Sequence, residues 1–195
     1  MDTEGDRRRE IEAELTSGEP TRTRRALHEL DDSRRRGQDV SVTYPGPQII
    51  DLVGPGPGED DLLAFCRLVR DPGAFVPALP WRDGIRIAVD AMLRHGGGQS
   101  AHDVAMGLKL DQGDPVGAAR EAIWWIWERG LHSRPERQAA ARFVSYLLEG
   151  RPEVRDATLR ALRPWAHETD FAYVVTEVLP ELSEQERAAL VDDDS

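Results

Sequence analysis

The chain has 195 residues, 39% of them hydrophobic and 31% charged, with a formal net charge of -11; that is the balance of a globular protein with one sizeable core and a wet surface. No apolar run approaches the roughly 20 residues needed to span a bilayer, and MDTEGDRRRE lacks the apolar stretch of a signal peptide, so a cytoplasmic protein is expected. The negative charge disfavours nonspecific binding to DNA and to anionic membranes, and a single cysteine, Cys66, permits neither an intrachain disulfide nor a thiolate zinc site.

Met1 to Leu15 alternates acids and bases, with Ile11 and Leu15 as its apolar anchors, and reads as a weak helix or a frayed arm. Arginines cluster at Arg7 to Arg9, Arg22 to Arg25 and Arg34 to Arg36. From Met1 to Asp39, however, nine arginines face eleven acids, which points to solvated helix faces with intrahelical ion pairs rather than a nucleic-acid arm. Pro20 to Arg36 is a helix with Ala26, Leu27 and Leu30 on its apolar side and Gly37 as its stop. Between Val40 and Gly58 the proline and glycine breaks predict an irregular connection with a short helix near Gln48, and the alternation of Val40, Val42 and Tyr44 permits a short strand. GPGPGED is not a phosphate loop, because no lysine follows it and Glu59, Asp60 and Asp61 repel phosphate.

From Glu59 onward the pattern is helix after helix. Glu59 to Arg70 carries Leu62, Phe65, Cys66 and Val69 at helical spacing; a loop or short turn from Ala74 to Trp81 leads to Arg82 to His95, whose apolar face is Ile85, Ala88, Val89, Met92 and Leu93. Ala101 to Leu110 is a further short helix. Asp114 to Gly130, DPVGAAREAIWWIWERG, holds three of the five tryptophans. Its apolar stripe is Val116, Ala119, Ile123, Ile126 and Trp127, with Trp124 at the edge and Trp125 on the opposite side beside Glu121, Glu128 and Arg129. Pro135 to Glu149 and Pro152 to Trp165 follow. Thr169 or Asp170 is expected to cap a helix carrying Phe171, Val174, Val175 and Val178, and Ser183 with Glu186 forms a capping box before Ala188 to Val191. The expected architecture is all-α, made of antiparallel helical hairpins in a single domain: a less regular part over 1–58, a helical core over 59–191 and an acidic tail over 192–195.

RPEVRDATLRAL, Arg151 to Leu162, resembles the first helix of HEAT-like repeats, with a proline at the start, then Val154, Arg155, Ala157 and the pair Ala161 and Leu162; FAYVVTEVLPEL, Phe171 to Leu182, is similar to the second helix. DPVGAAREAI, Asp114 to Ile123, resembles the same motif shifted by a residue, and PTRTRRAL, Pro20 to Leu27, does so more faintly. Pro115 and Pro152 lie 37 residues apart, slightly under the roughly 40 to 47 of such a unit. The resemblance covers mainly residues 114–191. It implies stacked helical pairs that present a binding surface, a solenoid-like C-terminal half, and no catalysis of their own.

Catalytic constellations are sparse. HGGG, His95 to Gly98, is similar to the oxyanion loop of some esterases, but GQSAH puts His102 where the nucleophile elbow needs glycine; a glycine stop after a helix explains the same residues. His102 with Asp103 resembles the paired metal ligands of HD-type phosphohydrolases, which would also require His28 or His95 and Asp90 or Asp111; the competing reading makes Asp103 a helix-capping carboxylate. Cys66 reads as a small buried apolar residue. The leading expectation is a non-enzymatic module without a cofactor that engages a protein partner through Trp124, Trp125, Arg120 and Arg129, in the manner of an acidic inhibitor or immunity-type protein. The alternative is a metal-dependent hydrolase using His102 and Asp103. Nucleic acid and membrane are disfavoured as partners, and self-association is left open.

Overall fold

The computed structural model describes residues 3–54, 56–96, 113–169 and 171–191. The fold is all-α, and the chain divides into two compact units, Met1–Ala91 and Met92–Ser195. The helix expected over 101–110, with His102 and Asp103, lies outside the described residues.

The first unit contains α1 (Thr3–Leu15), α2 (Pro20–Arg35), α3 (Glu59–Arg70) and the beginning of α4 (Trp81–His95). Its irregular connection is a seven-residue 3-10 turn at Pro47–Val53, which buries Ile49, Ile50 and Val53, around the position expected for a short helix near Gln48. Val42–Thr43 (β1) pairs in parallel with Phe75–Val76 (β2), Val42 opposite Phe75. The loop expected from Ala74 to Trp81 therefore contains a strand whose partner lies far away in sequence. α2 is the hub, packed by α1, α3 and the 3-10 turn, and it buries Ala26, Leu27 and Leu30.

The arginine clusters pair partly within their own helices, as expected, and partly across helices. Arg67 grips Asp31 with Nε at 3.0 Å and Nη2 at 2.6 Å. Arg34 forks onto Asp71 at 2.8 and 3.1 Å, and Arg24 and His28 both reach Asp61. These pairs cross between α2 and α3, and they fit the two helices in one register where apolar contact alone would tolerate a slip. Intrahelical pairs such as Arg9 with Asp6 remain on exposed faces, where each is worth little.

The second unit contains α5 (Pro115–Arg129), α6 (Arg134–Glu149), α7 (Pro152–Leu162), α8 (Ala172–Val178) and α9 (Glu184–Val191). α5 packs mainly on α7, and α6 on both α7 and α8. Proline begins α5 and α7, where its missing N–H costs nothing. The apolar positions expected for α6, namely Ala140, Phe143, Val144, Leu147 and Leu148, are all buried. The capping box at Ser183 and Glu186 is formed. α8, by contrast, has Phe171 at its N-cap position and no side-chain cap bond, so of the two expected caps Thr169 does not serve, and Asp170 lies outside the described residues.

Glu186 also receives Arg155 Nε at 2.7 Å and Nη2 at 3.0 Å, while Arg155 Nη1 donates to the carbonyl of Leu148 at 2.6 Å. One guanidinium thus joins the end of α6, α7 and the start of α9. Arg155 first, and then the backbone and hydroxyl of Ser183, pull the Glu186 carboxyl down from 4.5 to about 2. A depressed carboxyl stabilises the folded state above its ordinary value and ceases to do so as pH falls through its folded value. Acid titration followed by amide exchange should therefore show α9 loosening between pH 4.5 and about 2, and Glu186→Gln should remove that pH dependence while leaving α9 less protected at pH 7; a wild-type protection unchanged across the window contradicts the assignment.

Candidate functional site

α5 is fixed at both ends by its own sequence. Asp114 caps the start by accepting the N–H of Gly117 at 2.8 Å, and Gly130, at φ +77°, takes the left-handed turn that closes the end. Between them Pro115, Ala118, Ala119, Ala122, Ile123 and Ile126 are buried. The stripe expected from Val116 to Trp127 is therefore rotated toward the alanines. Val116 and Trp127 are only half-buried, and α7 is the helix on which α5 mainly packs. Trp127 finds its place at the edge by stacking on Trp165, with ring centroids 3.7 Å apart and planes at 15°.

The four candidate binding residues separate into two pairs. Arg120 and Trp124, one helical turn apart, share an exposed face, and Trp124 keeps 38% of its surface accessible. Trp125 is half-buried with its indole nitrogen sealed from solvent, and its ring lies 6.4 Å from that of Trp124. Of the two adjacent indoles, Trp124 is the one that offers more of itself to solvent, although helical periodicity placed it nearer the apolar stripe. Arg129 turns away from any partner surface: its Nη2 donates to Glu136 at 2.7 Å and its side chain is 14% exposed.

Glu136 is the residue sequence reasoning overlooked. Its second oxygen accepts the N–H groups of His132 at 2.8 Å and Ser133 at 2.9 Å, and the N–H of Glu136 donates in turn to Ser133 Oγ at 3.3 Å. This is a capping box whose serine and glutamate sit three residues apart, a legible signal that a helix start placed at Pro135 passes over. Burial pushes the Glu136 carboxyl up, but Arg129 and the two backbone donors outweigh it and hold the carboxyl below 4.5.

The catalytic alternatives fare as follows. His28 Nε2 lies 2.8 Å from Asp61 Oδ1, and Asp61 also accepts Arg24 Nε and the N–H of Gly58; the carboxylate that repels phosphate at this glycine-rich turn also satisfies the start of α3. Gly96 donates its N–H to the carbonyl of Met92 at 2.7 Å and its own carbonyl accepts Arg142 Nη2 at 3.2 Å. That N–H belongs to a helix stop and is committed away from an oxyanion, while Gly97 and Gly98 of HGGG lie outside the described residues. Burial pushes the Cys66 thiol up to about 12, which keeps it protonated and unreactive. Among the described residues no group of three His, Cys, Asp or Glu side chains could hold a metal ion. No helix among them is long and apolar enough to cross a membrane.

Comparison with protein-family models, curated proteins and solved structures finds no match to this chain.

Proposed function

We propose that this protein is a non-enzymatic binding module whose second unit engages a protein partner through the outer face of α5. The observation that carries the reading is Trp124, an indole 38% exposed beside the exposed Arg120 on a helix whose other side is firmly packed. Tryptophan and arginine on a rigid element are the side chains that most often dominate a protein interface, because an indole buries a large rigid area and a guanidinium adds several hydrogen-bond donors to its own apolar area. The packing of α5 on α7 and of α6 on α8 supports a HEAT-like stacking of helical pairs, an arrangement used for binding surfaces. The net charge of -11 suits a basic partner, as for an inhibitor or immunity-type protein.

Trp124→Ala tests this. Because Trp124 is partly in solvent, the variant should melt within about 3 °C of the wild type, yet bind a partner captured from the native host more than about tenfold more weakly. Association of wild type with that purified partner should slow as salt is raised. A Trp124→Ala protein that binds as well as wild type removes the surface from consideration. Stoichiometric metal in the purified protein, lost in His102→Ala, would replace the reading with a metal-dependent hydrolase.

A further inference from the structure

α1 is fastened to the first unit by two buried apolar side chains and a set of polar contacts. It packs chiefly on α2, with a smaller contact to β1, and its buried apolar side chains are Ile11 and Leu15. The remaining attachments are polar. Arg7 spreads over Glu29 at 3.1 Å, Ser33 Oγ at 2.9 Å and Gln38 Oε1 at 3.1 Å. The Glu14 carboxylate pairs with Arg25 and lies 3.9 Å from Arg22. Glu12 Oε1 accepts the N–H of Thr43 at 2.8 Å and its hydroxyl at 3.1 Å.

The Glu12 contact has a specific consequence for the strand pair. Val42 donates its N–H inward, to the carbonyl of Ala74. Successive N–H groups in a strand point to opposite edges, so that of Thr43 points outward, where a further strand would pair. A carboxylate from α1 occupies it. The helix therefore blunts an open sheet edge and does so with a bond to a side chain, which can be broken without unfolding either partner. The connection between α1 and α2 is short, and within it Gly18 takes φ +76° with open space where a Cβ would stand.

We propose that α1 is a releasable strap, which swings off α2 and β1 about Gly18 while α2 and α3 stay folded, and so uncovers the outer edge of β1. The groups facing its carboxylates all hold them ionised. The N–H of Thr43 foremost, against some burial, and then Arg8, keep the Glu12 carboxyl below 4.5. Arg25, also against burial, and then Arg22, do the same for Glu14, and Glu10 and Glu29 stand beside Arg25 as competing anions. Both carboxylates belong to the strap, so removing them by substitution weakens its docking and leaves the α2 to α3 pairs at Asp31, Asp61 and Asp71 in place.

Amide hydrogen exchange of the full chain measures the release directly. At pH 7 the amides of α1 should be at least about tenfold less protected than those of α2 and α3, with the amide of Thr43 following α1. The double variant Glu12→Ala and Glu14→Ala, which keeps good helix formers in α1, should lower protection of α1 and Thr43 by a further tenfold or so and leave α2 and α3 as they were. Equal protection of α1 and α2 in the wild type overturns the proposal. So does a double variant in which α1, α2 and α3 lose protection together, since the helix would then be part of one cooperative unit.

Discussion

Replacing Glu136 by alanine should cost about 3 to 4 kcal/mol of stability, a fall of roughly ten degrees in melting temperature for a chain of this size. The size of the effect comes from what is left behind. The Arg129 guanidinium, whose side chain is 14% exposed, would lose the Glu136 carboxylate while keeping its bond to the Gly130 carbonyl in the connection between α5 and α6. The N–H groups of His132 and Ser133 would lose the carboxylate oxygen they share. A partly buried charge deprived of its counter-ion costs far more than the intact pair contributes. Glu136→Gln separates these effects: the amide oxygen can still accept from the backbone, so its loss should be about half as large and should report mainly on the charge. Thermal melts of the two variants at neutral pH check the ordering, and a Glu136→Ala protein that melts with the wild type would show that water replaces the carboxylate without penalty.

Helix existence was legible because each helix is written with its own punctuation. Glycine at 37, 96, 130 and 150 and the capping box at Ser183 fall where the structure ends or begins a helix. Each expected apolar position of α3 is buried. What periodicity could not supply was the direction from which a neighbour arrives. On α5 the apolar stripe is wide, and the burial of Ala118, Ala119 and Ala122 turns the buried face by about one residue from the expected one. That rotation decides which of two adjacent tryptophans meets solvent. The ladder between Val42 and Phe75, the Arg155 and Glu186 pair and the arginines of α2 that reach α3 all join distant residues, and a single sequence carries no mark of such pairing. The candidate site was legible in the same measure. Its helix was, and Arg120 and Trp124 were on it, but the engagement of Arg129 by Glu136 depends on how α5 and α6 are joined.

Gly84→Ala should be destabilising although alanine is the better helix former. Gly84 lies within the first turns of α4, and a Cβ built there would fall inside the van der Waals envelope of the Val69 carbonyl oxygen, with the carbonyl carbon 3.3 Å away and Arg70 Cα 3.9 Å away. The obstruction is backbone of α3, which cannot rotate aside as a side chain does. In an open helix the substitution would gain about 1 kcal/mol. Here α4 must move off α3 by a sizeable fraction of an ångström, which disturbs the packing of Ile85, Ala88 and Val89, all buried on the same helix. Overpacking against an immovable neighbour costs about 1 to 3 kcal/mol and occasionally more, so the net loss should be about 2 kcal/mol or greater. Close packing at this crossing is also what holds Trp81 near Arg70, whose guanidinium carbon lies 5.8 Å from the indole centre and whose Nη1 donates to the Trp81 carbonyl at 3.4 Å. A displaced α4 should therefore lower the denaturant midpoint and change the emission of the folded state, with Gly84→Ser at least as severe. A Gly84→Ala protein more stable than wild type would mean that helix propensity prevails and that α3 and α4 yield to the added methyl.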